Sequence, residues 1–168
     1  FVPGGHDADM FIVVARTFGE AGDRHGITLF LVPAKAKGVT VQELKTVDSH
    51  GAAHVTFDDV MVGAGAVLGP VDEGADVLEP VLDRAAIGMA AEMLGSSEAA
   101  FEMTLEYLQS RKQFGQLIGS FQSMQHRAAK MFTEIEMTRS CVAAALAAVD
   151  SGKGDVAELA SLAKAKAS

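Results

Sequence analysis

The sequence predicts an α+β chain in which an antiparallel β segment is followed by long antiparallel helices. Three observations carry that prediction. Short β-rich runs separated by turn residues fill the chain up to about residue 70, with no helical pattern between them. Past Pro70 the apolar spacing changes to steps of three and four. The two longest helical patterns are joined by a turn, 111–125, whose Arg, Phe, Gly and Gln content exceeds what chain reversal needs.

In the first part, residues 11–15 form an apolar run, and Asp23-Arg24-His25-Gly26 is a turn. Residues 27–32 end at Pro33 and complete a hairpin. Gly38 opens the alternating Val39-Thr40-Val41, and residues 53–57 place Val55 and Phe57 on one face. Asp58-Asp59 turns the chain into Val60-Met61-Val62, a fifth short strand. Four or five short strands with one buried face make a poor domain alone. The expectation is therefore a portion of a β-domain over 1–70 and helices over 71–168.

Asp72 is the expected N-cap of a short helix over 72–78, with Pro80 in the first turn of a second helix over 80–110. The stripe Ile87, Ala91, Leu94, Phe101, Leu105 and Leu108 is expected to be buried. Gly88 and Gly95 lie near it and fit either a close helix approach or tolerated weak spots. Ser120 is expected to cap the next helix, whose apolar face runs from Phe121 and Met124 through Ala128, Met131, Ile135, Thr138, Val142 and Ala145 to Val149. Thirty helical residues reach about 45 Å, a bundle length. Asp155 caps a third helix. The glutamates of the first long helix read as a solvated face, and the methionines as core filler.

Composition narrows the function classes. The net charge is -8 with no basic cluster to offset it, which argues against nucleic acid. No apolar run reaches the roughly 18 residues of a membrane span. One cysteine, Cys141, excludes an intrachain disulfide and reads as a buried thiol in a reducing, cytoplasmic setting. The five histidines have no metal-ligand spacing. Phe1-Val2-Pro3-Gly4-Gly5 reads as the middle of a longer chain, and Lys164 to Ser168 as a helix cut in mid-turn. Half a bundle and an open sheet edge predict poor solubility for these residues alone.

The turn itself combines Arg111, a cation suited to phosphate, with the free N–H groups expected at residues 121–123. Phe114 offers a flat face to a purine, and Gln122 an amide for its edge or a ribose. The competing reading is a plain helical hairpin with Arg111 solvated and Phe114 packed in the core.

Arg111-x-x-Phe114-Gly115-x-x-Ile118-x-x-Phe121-Gln122-x-x-Gln125 resembles the flavin-contacting turn of the acyl-CoA dehydrogenase family. Ile27-Thr28-Leu29-Phe30-Leu31-Val32-Pro33, Val55-Thr56-Phe57-Asp58-Asp59-Val60 and Val67-Leu68-Gly69 resemble its β-domain. Asp83-Arg84 with Ala90-Ala91-Glu92-Met93-Leu94-Gly95 resembles the first helix of its C-terminal domain. The resemblance implies the later part of the β-domain and the first part of a four-helix bundle. It further implies FAD held between subunits, with Arg111, Gln113, Phe114, Ile118, Phe121 and Gln122 meeting its ADP half. Phe1 and Pro3 align with a Trp-x-Thr motif beside the flavin ring; Phe1 can stack, whereas Pro3 supplies no hydroxyl.

The implied reaction is α,β-dehydrogenation of an acyl-CoA thioester, part of fatty acid metabolism, with an electron-transfer flavoprotein as acceptor. The implied assembly is a homotetramer or dimer of dimers. The family's usual glutamate base would lie beyond Ser168; Asp83 matches the position used by some members, and its alternative is a surface carboxylate beside Arg84, itself a candidate for the acyl-CoA cleft. Two alternatives remain. One is a flavin-dependent oxidase or monooxygenase on the same scaffold. The other is a non-catalytic partner subunit in a heteromeric assembly.

Overall fold

A computed structural model describes residues 1–48 and 50–168. They form two compact units, residues 1–78 and 79–168.

The first unit holds two three-stranded antiparallel sheets. One has the order β1 (Val2–Pro3), β5 (Ala52–Phe57), β4 (Val39–Leu44). The other has the order β2 (Met10–Arg16), β3 (Ile27–Pro33), β6 (Val67–Leu68). The β2–β3 hairpin pairs Met10 with Pro33 through to Arg16 with Ile27. Its alternation leaves Phe11 buried while Ile12 and Val14 stay exposed. Phe11 meets Phe57 edge-on, with ring centroids 5.9 Å apart, joining the two sheets. The expected strand at Val60-Met61-Val62 does not form. These side chains instead line a cavity of about 360 Å³ with Val13, Phe30 and Phe57, and β6 supplies the extra pairing to β3.

The expected break between two helices near Pro80 is also absent. A single helix, α1 (Gly74–Ser110), runs through it. Pro80 lies in the second turn, where it has no N–H to donate to the preceding turn, a local cost that the rest of the 37-residue helix overrides. Asp72 does not cap α1 with its side chain. Its carboxylate accepts the Thr17 hydroxyl at 2.5 Å, and its N–H donates at 2.9 Å to the buried Thr28 hydroxyl.

The second unit packs most of α1 with α2 (Gln122–Ser151) and α3 (Val156–Ala167). Its core is small: Ile87 and Ala90 from α1, Val142 and Ala145 from α2, Ala160 and Ala163 from α3. Alanines at these crossings let the helices approach closely. Ile87, 2% exposed, is the largest side chain sealed inside, and its burial stabilises by about 1.5–3 kcal/mol. Phe101–Phe132 and Glu98–Arg139 contacts show that α1 and α2 run antiparallel. Asp155 caps α3 by accepting from the Glu158 N–H at 3.0 Å, as its position in the sequence predicts.

Several burial expectations shift. Glu98 leaves the solvated face to pair with Arg139 at 2.9 Å. Six methionines, Met10, Met61, Met89, Met103, Met131 and Met137, are exposed rather than core filler. Met131 lines an open groove of about 660 Å³ between α1 and α2. Cys141 is half-buried. Gly88 and Gly95 face open space, so they mark no close helix approach within this chain. No helix is long and apolar enough to cross a membrane.

Candidate functional site: the corner between the two long helices

The corner begins where α1 ends at Ser110. Lys112–Gln113 (β7) and Gln116–Leu117 (β8) then pair as a minimal hairpin, Gln113 opposite Gln116. Its two-residue loop, Phe114 (φ 54°) and Gly115 (φ 80°), is left-handed at both positions. Such turns match the twist of the strands but require positive φ twice, hence their usual Asn-Gly content. Gly115 meets the requirement freely, while Phe114 pays about 1–2 kcal/mol for it. Phe114 is nevertheless 91% exposed, which removes the core-packed alternative. A strained backbone that holds an aromatic ring out in water contributes nothing to the fold, and such residues gather at binding sites. The ring stands edge-on to Phe121, centroids 6.2 Å apart.

Arg111 is anchored at both backbone groups: its N–H donates to the Tyr107 carbonyl and its carbonyl accepts from the Ile118 N–H, each at 2.9 Å. Its guanidinium makes no ion pair or hydrogen bond with the described residues. A short 3-10 turn, Ile118–Ser120, leads into α2. Ser120 does not cap that helix; its hydroxyl donates back to the Leu117 carbonyl at 2.7 Å. Phe121 occupies the cap position, and its N–H, expected to be free, is bonded to the Ile118 carbonyl at 3.2 Å. The free donors are therefore the N–H groups of Gln122 and Ser123, at the positive end of a 30-residue helix with no acid in its first turn. Gln113 and Gln122 are exposed, and Ile118 is half-buried. The result is an uncompensated cation, two free N–H donors and a bare aromatic face, a set suited to a nucleotide diphosphate.

The remaining candidates lie elsewhere. Asp83 is half-buried on α1, and the Arg84 guanidinium donates to the Pro80 carbonyl at 2.8 Å. Twenty-eight residues of helix separate Asp83 from Arg111, about 40 Å at the helical rise. Phe1 and Pro3 belong to the first unit, where Phe1 is 73% exposed and Pro3 pairs opposite Ala52 in β1.

Two features of the corner were missed from sequence. Gly119 packs against α1 so tightly that an added Cβ would lie 2.7 Å from the Leu108 carbonyl oxygen. Gln125, exposed in the first turn of α2, donates from Nε2 to the Gly119 carbonyl at 3.0 Å. A legible signal did exist: residues 107–133 contain four Lys or Arg and no Asp or Glu, in a chain of net charge -8.

Residues 1–60 match the model of the acyl-CoA dehydrogenase middle domain, and residues 72–168 that of the acyl-CoA dehydrogenase C-terminal domain. The chain is 35% identical over 164 residues to the mitochondrial short/branched chain specific acyl-CoA dehydrogenase of Bos taurus, covering 96% of this chain and 38% of that protein. The three-dimensional structure of butyryl-CoA dehydrogenase from Megasphaera elsdenii superposes with a TM-score of 0.86 at 33% identity, over 98% of this chain and 43% of that one. PigA with FAD and proline superposes with a TM-score of 0.90 at 26% identity, over 99% of this chain and 44% of that one. The chain thus spans about two fifths of the length of these relatives. On the match of both domain models, in order and across nearly the whole chain, this chain belongs to the acyl-CoA dehydrogenase family.

Proposed function

We propose that this chain supplies the ADP-binding corner and oligomer-forming helices of an FAD-dependent enzyme that dehydrogenates an acyl-CoA thioester between its α and β carbons. In this proposal residues 1–70 are the later part of the β-domain and residues 71–168 the first part of the helical bundle. The observation that carries it is Phe114, held in a left-handed backbone and 91% exposed beside Arg111, which makes no ion pair among the described residues. The corner fits the ADP half of FAD. Arg111 and the N–H groups of Gln122 and Ser123 would hold the diphosphate, Phe114 would cover the purine, and Gln113 and Gln122 would reach the ribose or purine edge. Ile118 and Phe121 would back that surface, and Phe1 and Pro3 would lie toward the flavin ring. When bound, FAD would supply a two-electron acceptor for the substrate's β-hydrogen.

Asp83 and Arg84 lie about 40 Å along α1 from Arg111, too far to serve the same end of one dinucleotide within one chain. That separation supports a corner that grips the FAD of a neighbouring subunit, in a homotetramer or dimer of dimers. Arg84 would then serve the acyl-CoA cleft of its own chain, with Asp83 as candidate base. An electron-transfer flavoprotein is the proposed acceptor; the electron transferring flavoprotein structure of Acidaminococcus fermentans is among the structural neighbours, with a TM-score of 0.85 at 31% identity.

Substituting Arg111→Ala together with Gln122→Ala in the full-length protein should lower the FAD retained on purification at least tenfold, since the charge-assisted contact of Arg111 alone contributes about 1.5–3 kcal/mol. Unchanged flavin content would refute the assignment. A second reading keeps the scaffold and changes the chemistry to an oxidase or monooxygenase. The neighbour PigA with FAD and proline, whose named ligand is not an acyl-CoA, is the observation behind it, whereas Pro3, which offers no hydroxyl, favours a non-catalytic partner subunit. Product analysis under air distinguishes the two chemistries.

A further inference from the structure

We infer that Gln125 is a positioning residue of the nucleotide corner, the side chain through which α2 fixes the turn that carries Arg111 and Phe114. The inference rests on the nucleotide reading above. Arg111 is tied to Ile118 by the 2.9 Å bond between its carbonyl and the Ile118 N–H. Whatever sets the 3-10 turn Ile118–Ser120 therefore sets Arg111 as well. That turn is wedged on one side, where Gly119 meets the Leu108 carbonyl with no room for a methyl group. On the other side the Gln125 amide donates to the Gly119 carbonyl at 3.0 Å. Among the described residues this is the one side-chain hydrogen bond between α2 and the turn.

The bond bridges six residues and points backward out of the first turn of α2. Helix starts are usually satisfied by a side chain accepting from a free N–H. Here a helical side chain donates to a carbonyl outside the helix instead. The N–H groups of Gln122 and Ser123 are left open, and the turn is held at a set height against them. An exposed neutral hydrogen bond adds little to global stability. Its effect here falls on geometry: without it Gly119 is restrained only by contact, and the guanidinium and ring lose their register with the free N–H groups, to which binding is sensitive at the ångström scale.

The test uses the full-length protein, depleted of flavin, with FAD and ADP as probes. Gln125→Met keeps the length and helix preference of the side chain and removes the donor. It should weaken both FAD and ADP binding by about fivefold to tenfold. The unfolding midpoint of the flavin-free protein, and the visible absorption maxima of the protein saturated with FAD, should stay at the wild-type values. Gln116→Met, a change at an exposed turn glutamine, should bind like wild type. Wild-type affinity in Gln125→Met, with flavin lost from Arg111→Ala/Gln122→Ala, would overturn the role of Gln125 alone. Wild-type affinity in both would overturn the nucleotide reading and this inference with it. Weakened binding accompanied by an equally lowered unfolding midpoint would reduce Gln125 to a structural contact and overturn the inference.

Discussion

Gly119→Ala is a one-methyl change whose cost follows from the packing at the corner. The new Cβ would lie 2.7 Å from the Leu108 carbonyl oxygen and 3.2 Å from its carbonyl carbon. Ordinary contact begins near 3.4 Å, so the methyl must retreat by roughly 0.7 Å. Neither neighbour yields cheaply. Leu108 lies in the last turn of α1, and Gly119 is tied to α2 through Gln125. Overpacking of this kind costs about 1–3 kcal/mol. The reduced freedom of alanine in the unfolded chain returns about 0.4–1 kcal/mol. A net loss of about 1–2 kcal/mol should lower the thermal midpoint of the flavin-free protein by about 2–8 °C. ADP affinity should fall alongside, because the displaced turn carries Arg111. Differential scanning calorimetry and an ADP titration measure the two effects. A midpoint at or above wild type with undiminished ADP affinity would refute the packing argument.

The same substitution at Gly88 or Gly95 should have the opposite sign. An added Cβ there meets nothing, so each alanine should stabilise α1 by about 0.5–1 kcal/mol, read from urea midpoints; a loss would reveal a partner on that face. Phe114→Asn should raise the unfolding midpoint, because Asn accepts the left-handed position more readily, yet weaken ADP binding several-fold by removing the ring. Parallel changes in stability and affinity would argue against a binding role for Phe114. The hydrogen bond from Lys166, and then the charges of Lys166 and Lys130, hold the Glu134 carboxyl below the usual glutamate range. A carboxyl depressed in the folded state stabilises above its unfolded pKa and loses that contribution as pH falls through its folded pKa. The stability gap between wild type and Glu134→Gln, followed by urea unfolding, should therefore be present near pH 7 and close on acidification below about pH 4, narrowing further in high salt. A gap independent of pH would count against the ion pair.

The sequence by itself determined the class of the fold and marked the candidate residues of the corner. The apolar β-rich runs at 11–15 and 27–32 and the three-and-four spacing from Ile87 onward are local patterns, and each survives in the structure as strand or helix. The motif from Arg111 to Gln125 was legible because its residue types carry their chemistry wherever they stand. Features set by partners distant in sequence were not legible. Val60-Met61-Val62 has strand-forming residues but finds no neighbour to pair with. Asp72 and Ser120 have capping side chains, and Thr17 and the Leu117 carbonyl take them instead. Pro80 reads as a break, yet α1 continues through it because one lost hydrogen bond is small against a 37-residue helix. The glycines make the division plainest. Gly88, Gly95 and Gly119 are the same residue in similar helical company, and only the tertiary structure decides that two face open space while the third meets a carbonyl oxygen. Close packing is a property of the surfaces that meet, and a linear sequence does not record which surfaces those are.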